Sequence, residues 1–158
     1  MSWTSFATDR GTGWIGYQGD GTIEQTVLPG RPKPSGKIGT MPPQVARLAE
    51  GLTGYFSGSA DLPLAERFLD MVSATDFETT VYRIVAAIPA GATMTYAEVA
   101  DQAGRPGAAR AVGAAMAKNR FAPMIPCHRV VGSDGSLRGY GGGLDMKRQL
   151  LAMEATRA

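Results

Sequence analysis

Cysteine and histidine each occur once in this chain, and they are neighbours: Cys127 and His128 sit within Pro126-Cys127-His128-Arg129-Val130-Val131-Gly132. All thiol chemistry therefore falls to Cys127. A lone thiol has no partner for an intramolecular disulfide and too few soft ligands for a closed zinc site, which leaves two roles, nucleophile or inert buried residue. A nucleophilic thiol needs a base or a positive field to raise its thiolate fraction at neutral pH, and His128 and Arg129 are candidates for both. Adjacency does not choose between the roles, because neighbouring side chains diverge and a structural cysteine beside a surface histidine reads the same.

The flanking elements say more. Thr95-Tyr96-Ala97-Glu98 has the form of a capping box, so a helix starts there and runs to about Ala103. Gly104-Arg105-Pro106-Gly107 breaks it, and a second helix follows from Ala108 to about Lys118. Two helices joined by a tight Gly/Pro turn suggest a helix-turn-helix, a form that many non-binding helix pairs share. On the second helix Val112 and Met116 point to a core, while Arg110, Gly113, Ala114 and Ala117 form another face. One long cation stands there on a floor of side chains no larger than methyl. Such a face admits close approach to something narrow; close helix packing would use small residues too, but would require a buried partner for the arginine. In the last helix Glu154 shares a stripe with Leu150 and Leu151 and so faces inward, where a carboxylate needs a partner. His128, Arg129, Lys147 or backbone amides would each serve.

Upstream, an apolar stripe of Phe77, Val81, Ile84, Val85 and Ile88 predicts a helix with Asp76 as its N-cap, ended by Pro89 and Gly91. Residues 12–17 and 22–28 read as a hairpin turning at Gly19-Asp20-Gly21. Residues 29–43 read as an exposed Pro/Gly loop, and Val45, Leu48, Leu52, Tyr55 and Phe56 recur at helical spacing. The expectation is an α+β chain with two domains, 1–74 a small antiparallel sheet with a helix and 75–158 mainly helical. Hydrophobic content of 44% and charged content of 19% exclude disorder, no apolar run approaches a membrane span, and the first residues lack a secretion signal. An unpaired thiol fits a reducing cytoplasm. Net charge is only +2, but residues 1–74 carry six basic and seven acidic side chains against ten and seven in 75–158. Arg105, Arg110, Lys118, Arg120, Arg129, Arg138, Lys147 and Arg148 face only Asp134 and Asp145 between 103 and 148, which reads as a basic surface fit for phosphates or simply for solvent.

The stretch Asn119, Met124-Ile125-Pro126-Cys127-His128-Arg129-Val130-Val131-Gly132, Gly139-Tyr140-Gly141-Gly142-Gly143-Leu144, Lys147, Leu150-Leu151 and Glu154 closely resembles the active-site region of O6-alkylguanine-DNA alkyltransferases. The likeness extends back through Pro106-Gly107-Ala108-Ala109-Arg110-Ala111-Val112-Gly113, Thr95-Tyr96 and Ile88-Pro89-Ala90-Gly91 to Phe77, about half of the chain. It implies a winged-helix-like second domain and self-inactivating transfer of an alkyl group from O6-alkylguanine, with O4-methylthymine as a further lesion, to Cys127. By the same resemblance His128 is the base acting through water, Glu154 orients it, and Tyr96 contacts the flipped nucleotide and donates a proton toward it. Arg110 enters the minor groove in place of the extruded base, with Thr95, Ala109, Gly113, Ala114 and Arg129 at the DNA. Asn119, Pro126, Val130, Tyr140 and Gly141 belong to the pocket, where three consecutive glycines at 141–143 suit close backbone approach. The chain departs from the family in having Tyr82 for a common tryptophan and Gly141 for a common serine, which removes a hydroxyl contact. Ligands for the N-terminal zinc of some relatives are lacking.

The implied partner is duplex DNA carrying the lesion, bound by a monomer, with no cofactor and no membrane. A damage-recognition protein without transfer would lack the cysteine. A cysteine hydrolase built on Cys127, His128 and Glu154 would leave the Arg110 helix without purpose.

Overall fold

A computed structural model describes residues 1–63, 69–137 and 143–156. They divide into two compact units, Met1–Asp70 with Arg120–Met124, and Met71–Asn119 with Ile125–Ala158.

The first unit is a sheet backed by one helix. Strands β1 (Ser2–Thr8), β2 (Gly11–Tyr17) and β3 (Ile23–Val27) run antiparallel in turn, and β4 (Lys37–Ile38) lies parallel on the far side of β1. The β2–β3 turn falls where Gly and Asp predict it: Thr22 N donates to the Asp20 carboxylate at 2.9 Å and Gly21 adopts φ 90°. Strand β1 was not expected. Thr4 and Phe6 are buried on one face with Ser5 exposed between them, but Trp3 is buried on the other face, so the two large apolar residues stand three apart and give no period-two signal. Opposite Phe6 stands Gly13, where a Cβ would lie 2.1 Å from the Phe6 ring, so the aromatic covers the glycine across the pair. Helix α1 (Pro43–Ser57) starts on proline and stops at Gly58, whose φ of 87° suits a left-handed cap. Its inward stripe, Val45, Leu48, Leu52, Tyr55 and Phe56, packs on β1 and β2; Phe6 and Phe56 stack at 6.0 Å. Arg120–Met124 joins this unit at the outer edge of β3, where Thr26 N donates to Arg120 O at 2.8 Å and the Arg120 guanidinium donates to Asp70 O at 3.0 Å.

In the second unit, α2 (Asp76–Ala86) is capped by Thr75 and not by Asp76. Thr75 keeps the extended backbone of a cap and exchanges bonds with Glu78, each 3.1 Å, which leaves Asp76 in the first turn facing the helix dipole. Tyr82, buried on α2, donates its hydroxyl to Ala115 O at 2.8 Å. Helix α3 (Tyr96–Gln102) has the expected Thr95–Glu98 capping box, and a turn with Gly104 and Gly107 at φ 76° and 87° leads to α4 (Ala109–Ala117). Two short strands were not foreseen. Met94–Thr95 (β5) and Val130–Val131 (β6) pair in parallel, tying the start of α3 to the strand that follows Cys127. Helix α5 (Leu144–Ala155) packs on the Cys127–Arg129 turn. Among the described residues no helix is long and apolar enough to cross a membrane.

Candidate active site

Cys127 opens a single 3-10 turn, Cys127–Arg129, between Pro126 and β6. The residue is buried, with 6% of its surface exposed. Asn119, just past the end of α4, holds this turn from the other side: its amide Nδ2 donates to Ile125 O at 2.8 Å and to Cys127 Sγ at 3.3 Å, while its own N–H caps Met116 O at 3.1 Å. The residue thus serves both as a helix end and as a bond to the turn. A donor aimed at sulfur favours the thiolate over the thiol.

His128 and Glu154 are fully buried, and His128 Nε2 lies 2.9 Å from Glu154 Oε2. Arg129 completes the group. Its Nε and Nη2 donate to the two oxygens of Glu154 at 2.8 and 2.6 Å, and Nη1 donates to Ile88 O at 2.6 Å. A carboxylate held by such a fork is an acceptor only, so a neutral His128 donates from Nε2 and carries its lone pair on Nδ1. Burial holds His128 below the ordinary histidine range; the hydrogen bond and charge of Glu154 oppose this, and the charges of Arg129 and Lys147 add to it. The imidazole is therefore neutral and able to accept a proton at neutral pH.

This geometry corrects two expectations. Arg129 is 3% exposed and committed to Glu154, so it is not presented to a DNA phosphate. Lys147 is likewise buried, with Nζ donating to Val130 O at 2.8 Å, and does not contribute to a basic surface. Both types usually lie on surfaces, which is why the charge count misled. The spacing Lys147, Leu150, Glu154 nevertheless follows one face of α5, a signal that could have placed the lysine inside.

The exposed face of α4 is as the spacing predicts. Val112, Ala115 and Met116 are buried, whereas Arg110, Ala114 and Ala117 are exposed, Ala109 and Gly113 are half-buried, and a Cβ on Gly113 would meet nothing within 4 Å. The small residues are not a packing seam. Arg110 has no ion-pair partner among the described residues, and it precedes Asn119 by about 13 Å of helix rise. Thr95 and Tyr96 are half-buried at the start of α3, with Thr95 opposite Val131 in the β5–β6 pair; Pro126 and Val130 are buried around the turn. Tyr140 and Gly141 lie outside the described residues.

Comparison with known proteins places this constellation. Residues 76–156 match the model of the 6-O-methylguanine DNA methyltransferase, DNA binding domain. The methylated-DNA–protein-cysteine methyltransferase of Mycobacterium tuberculosis is 43% identical over 140 residues, covering 86% of this chain and 78% of that protein. That of Methanosarcina barkeri is 49% identical over 109 residues, covering 67% and 65%. The crystal structure of Mycobacterium tuberculosis OGT in complex with DNA superposes with a TM-score of 0.78 at 37% identity, covering 100% of this chain and 95% of that one. The match runs through the thiol turn, the helix pair and the buried carboxylate together, and the chain belongs to the 6-O-methylguanine DNA methyltransferase family.

Proposed function

We propose that this protein repairs DNA by moving the alkyl group of O6-alkylguanine, O6-methylguanine foremost, onto Cys127 in a single self-inactivating event. The observation that carries the reading is the turn itself: one thiol, held by Asn119, followed at once by a neutral buried histidine paired to Glu154. His128 takes the thiol proton through a water molecule. The thiolate attacks the alkyl carbon in line, an S–C bond forms, the C–O6 bond breaks, and its electron pair leaves with guanine, which regains a proton with Tyr96 as donor. A stacked duplex shields that carbon, so the nucleotide must leave the stack. Arg110 projects from α4 into the minor groove and fills the vacated place, and Thr95, Ala109, Gly113 and Ala114 allow the backbone to approach. Pro126, Val130, Tyr140 and Gly141 line the pocket. The thioether has no route back to a thiol within the chain, so each molecule acts once. On this reading residues 1–74 support the 75–158 domain, Arg120–Met124 being attached to the former, and the protein works as a cytoplasmic monomer.

Digestion of a lesion-bearing duplex after incubation should return unmodified guanine with the wild-type protein and intact O6-methylguanine with Cys127→Ala. Tight binding with the lesion left in place by both proteins would make this a recognition protein, and turnover of a thioester in the absence of DNA would make it a hydrolase.

A further inference from the structure

Helix α2 meets the end of α4 at two points one turn apart. The Tyr82 hydroxyl donates to Ala115 O at 2.8 Å, and the Glu78 carboxylate lies 3.8 Å from Lys118 Nζ. The second contact is an exposed ion pair and holds little. The first is enclosed, with Tyr82 and Ala115 both buried. Ala115 O is also the acceptor that a continuing α-helix would offer to the N–H of Asn119, four residues on. The chain leaves the helix differently. The Lys118 N–H is shared between Ala114 O and Ala115 O, each at 3.2 Å, and the Asn119 N–H goes to Met116 O at 3.1 Å, so the last turn tightens to bonds three residues apart. From that position the Asn119 amide reaches Ile125 O at 2.8 Å and Cys127 Sγ at 3.3 Å. Hydroxyl, carbonyl, tightened turn and amide thus connect Tyr82 to the sulfur, all within the second unit.

We propose that Tyr82 is a positioning residue for the thiol: by engaging Ala115 O its hydroxyl favours the tightened exit from α4 and so aims the Asn119 amide at Cys127 Sγ. Phenylalanine would fill the same space without the donor, leaving Ala115 O open to the Asn119 N–H and the amide less firmly placed. The hydroxyl transfers no proton; it acts through Asn119, whose donation to sulfur favours the thiolate. The consequence for repair rests on the alkyl-transfer reading, but the test does not.

Because the chain has a single thiol, ultraviolet titration of the free protein, read against Cys127→Ala, reports Cys127 alone. In Tyr82→Phe the thiol midpoint should rise by about half a unit, with reaction toward iodoacetamide about threefold slower at neutral pH and restored in alkali. Val85→Ala, which loosens the same helix and changes no donor, should keep the wild-type midpoint. A folded Tyr82→Phe with the wild-type midpoint, or an equal rise in Val85→Ala, would overturn the assignment, since general loosening of α2 would then explain whatever is seen. Asn119→Ala tests the last link by itself. Its midpoint should rise by about one unit, and adding Tyr82→Phe to it should raise the midpoint no further. An unchanged midpoint in Asn119→Ala, or a further rise of half a unit in the double variant, would overturn the proposal. Lesion DNA left unrepaired by a wild-type protein whose variants titrate as expected would count against the alkyl-transfer reading alone.

Discussion

Among the described residues, the first unit buries the polar side chains Thr4 and Thr26, whereas the second buries His128, Arg129, Lys147 and Glu154. The first is held by apolar area: Trp3, Phe6, Ile15, Leu52 and Phe56 are each worth roughly 1.5–3 kcal/mol when removed from water. The second carries desolvated charges whose mutual attraction does little more than offset their burial, and apolar side chains of the same volume would hold a fold as well. The difference teaches where function lies. Among the described residues, buried charge gathers beside Cys127, where it bears on the protonation of the imidazole next to it.

The comparison breaks most easily at Glu154. Glu154→Gln leaves Arg129 and His128 without their carboxylate and should cost about 3–5 kcal/mol in chemical denaturation, with alkyl transfer by the folded fraction nearly lost. Acid should act on the same centre. His128 binds its proton less readily when folded than the unfolded reference of 6.5, so the unfolded state takes up more protons, and stability should fall as pH drops below 6.5 toward the lower folded value. Transfer should fall in the same window, and a flat stability profile from pH 7 to 5 would contradict a neutral buried imidazole.

Leu52→Ala sharpens the contrast from the other side. It should cost about 2–5 kcal/mol while transfer per folded molecule stays at the wild-type value. Arg110→Ala should reverse that pattern: stability unchanged within about 0.5 kcal/mol, reaction of Cys127 with iodoacetamide unchanged, and transfer from duplex DNA slower by about ten- to a hundredfold. The smallest effect is expected at Gly113, whose open Cβ position should let Gly113→Ala add about 0.8–1 kcal/mol through helix propensity. Gly113→Leu should also fold, yet bind duplex DNA more weakly in a fluorescence titration, because it raises the floor beside Arg110.

Legibility in the sequence followed the kind of physics involved. The capping box at Thr95, the α1 stripe and the small face of α4 are local patterns with a period, and each stands where spacing puts it. Strand β1 escaped because its large apolar residues, Trp3 and Phe6, are buried on opposite faces, and β4, β5 and β6 because two residues have no period to read. Thr75 and Asp76 are both good caps by type, and only the backbone shows that Thr75 is outside the helix. Arg129 and Lys147 were read as surface charge, since residue type reports the usual location and not the partner. Glu154 was legible as inward, but its sharing between His128 and Arg129 arises from the parallel β5–β6 pair and the docking of α5 on the turn, contacts distant in sequence.

The transfer itself can be read from the mass of the intact protein after mixing with graded amounts of a duplex containing one O6-methylguanine. The mechanism predicts a gain of one methyl group per molecule, located on the peptide with Cys127, ending at one equivalent and absent in Cys127→Ala. A protein that binds the lesion duplex and keeps its original mass would contradict it.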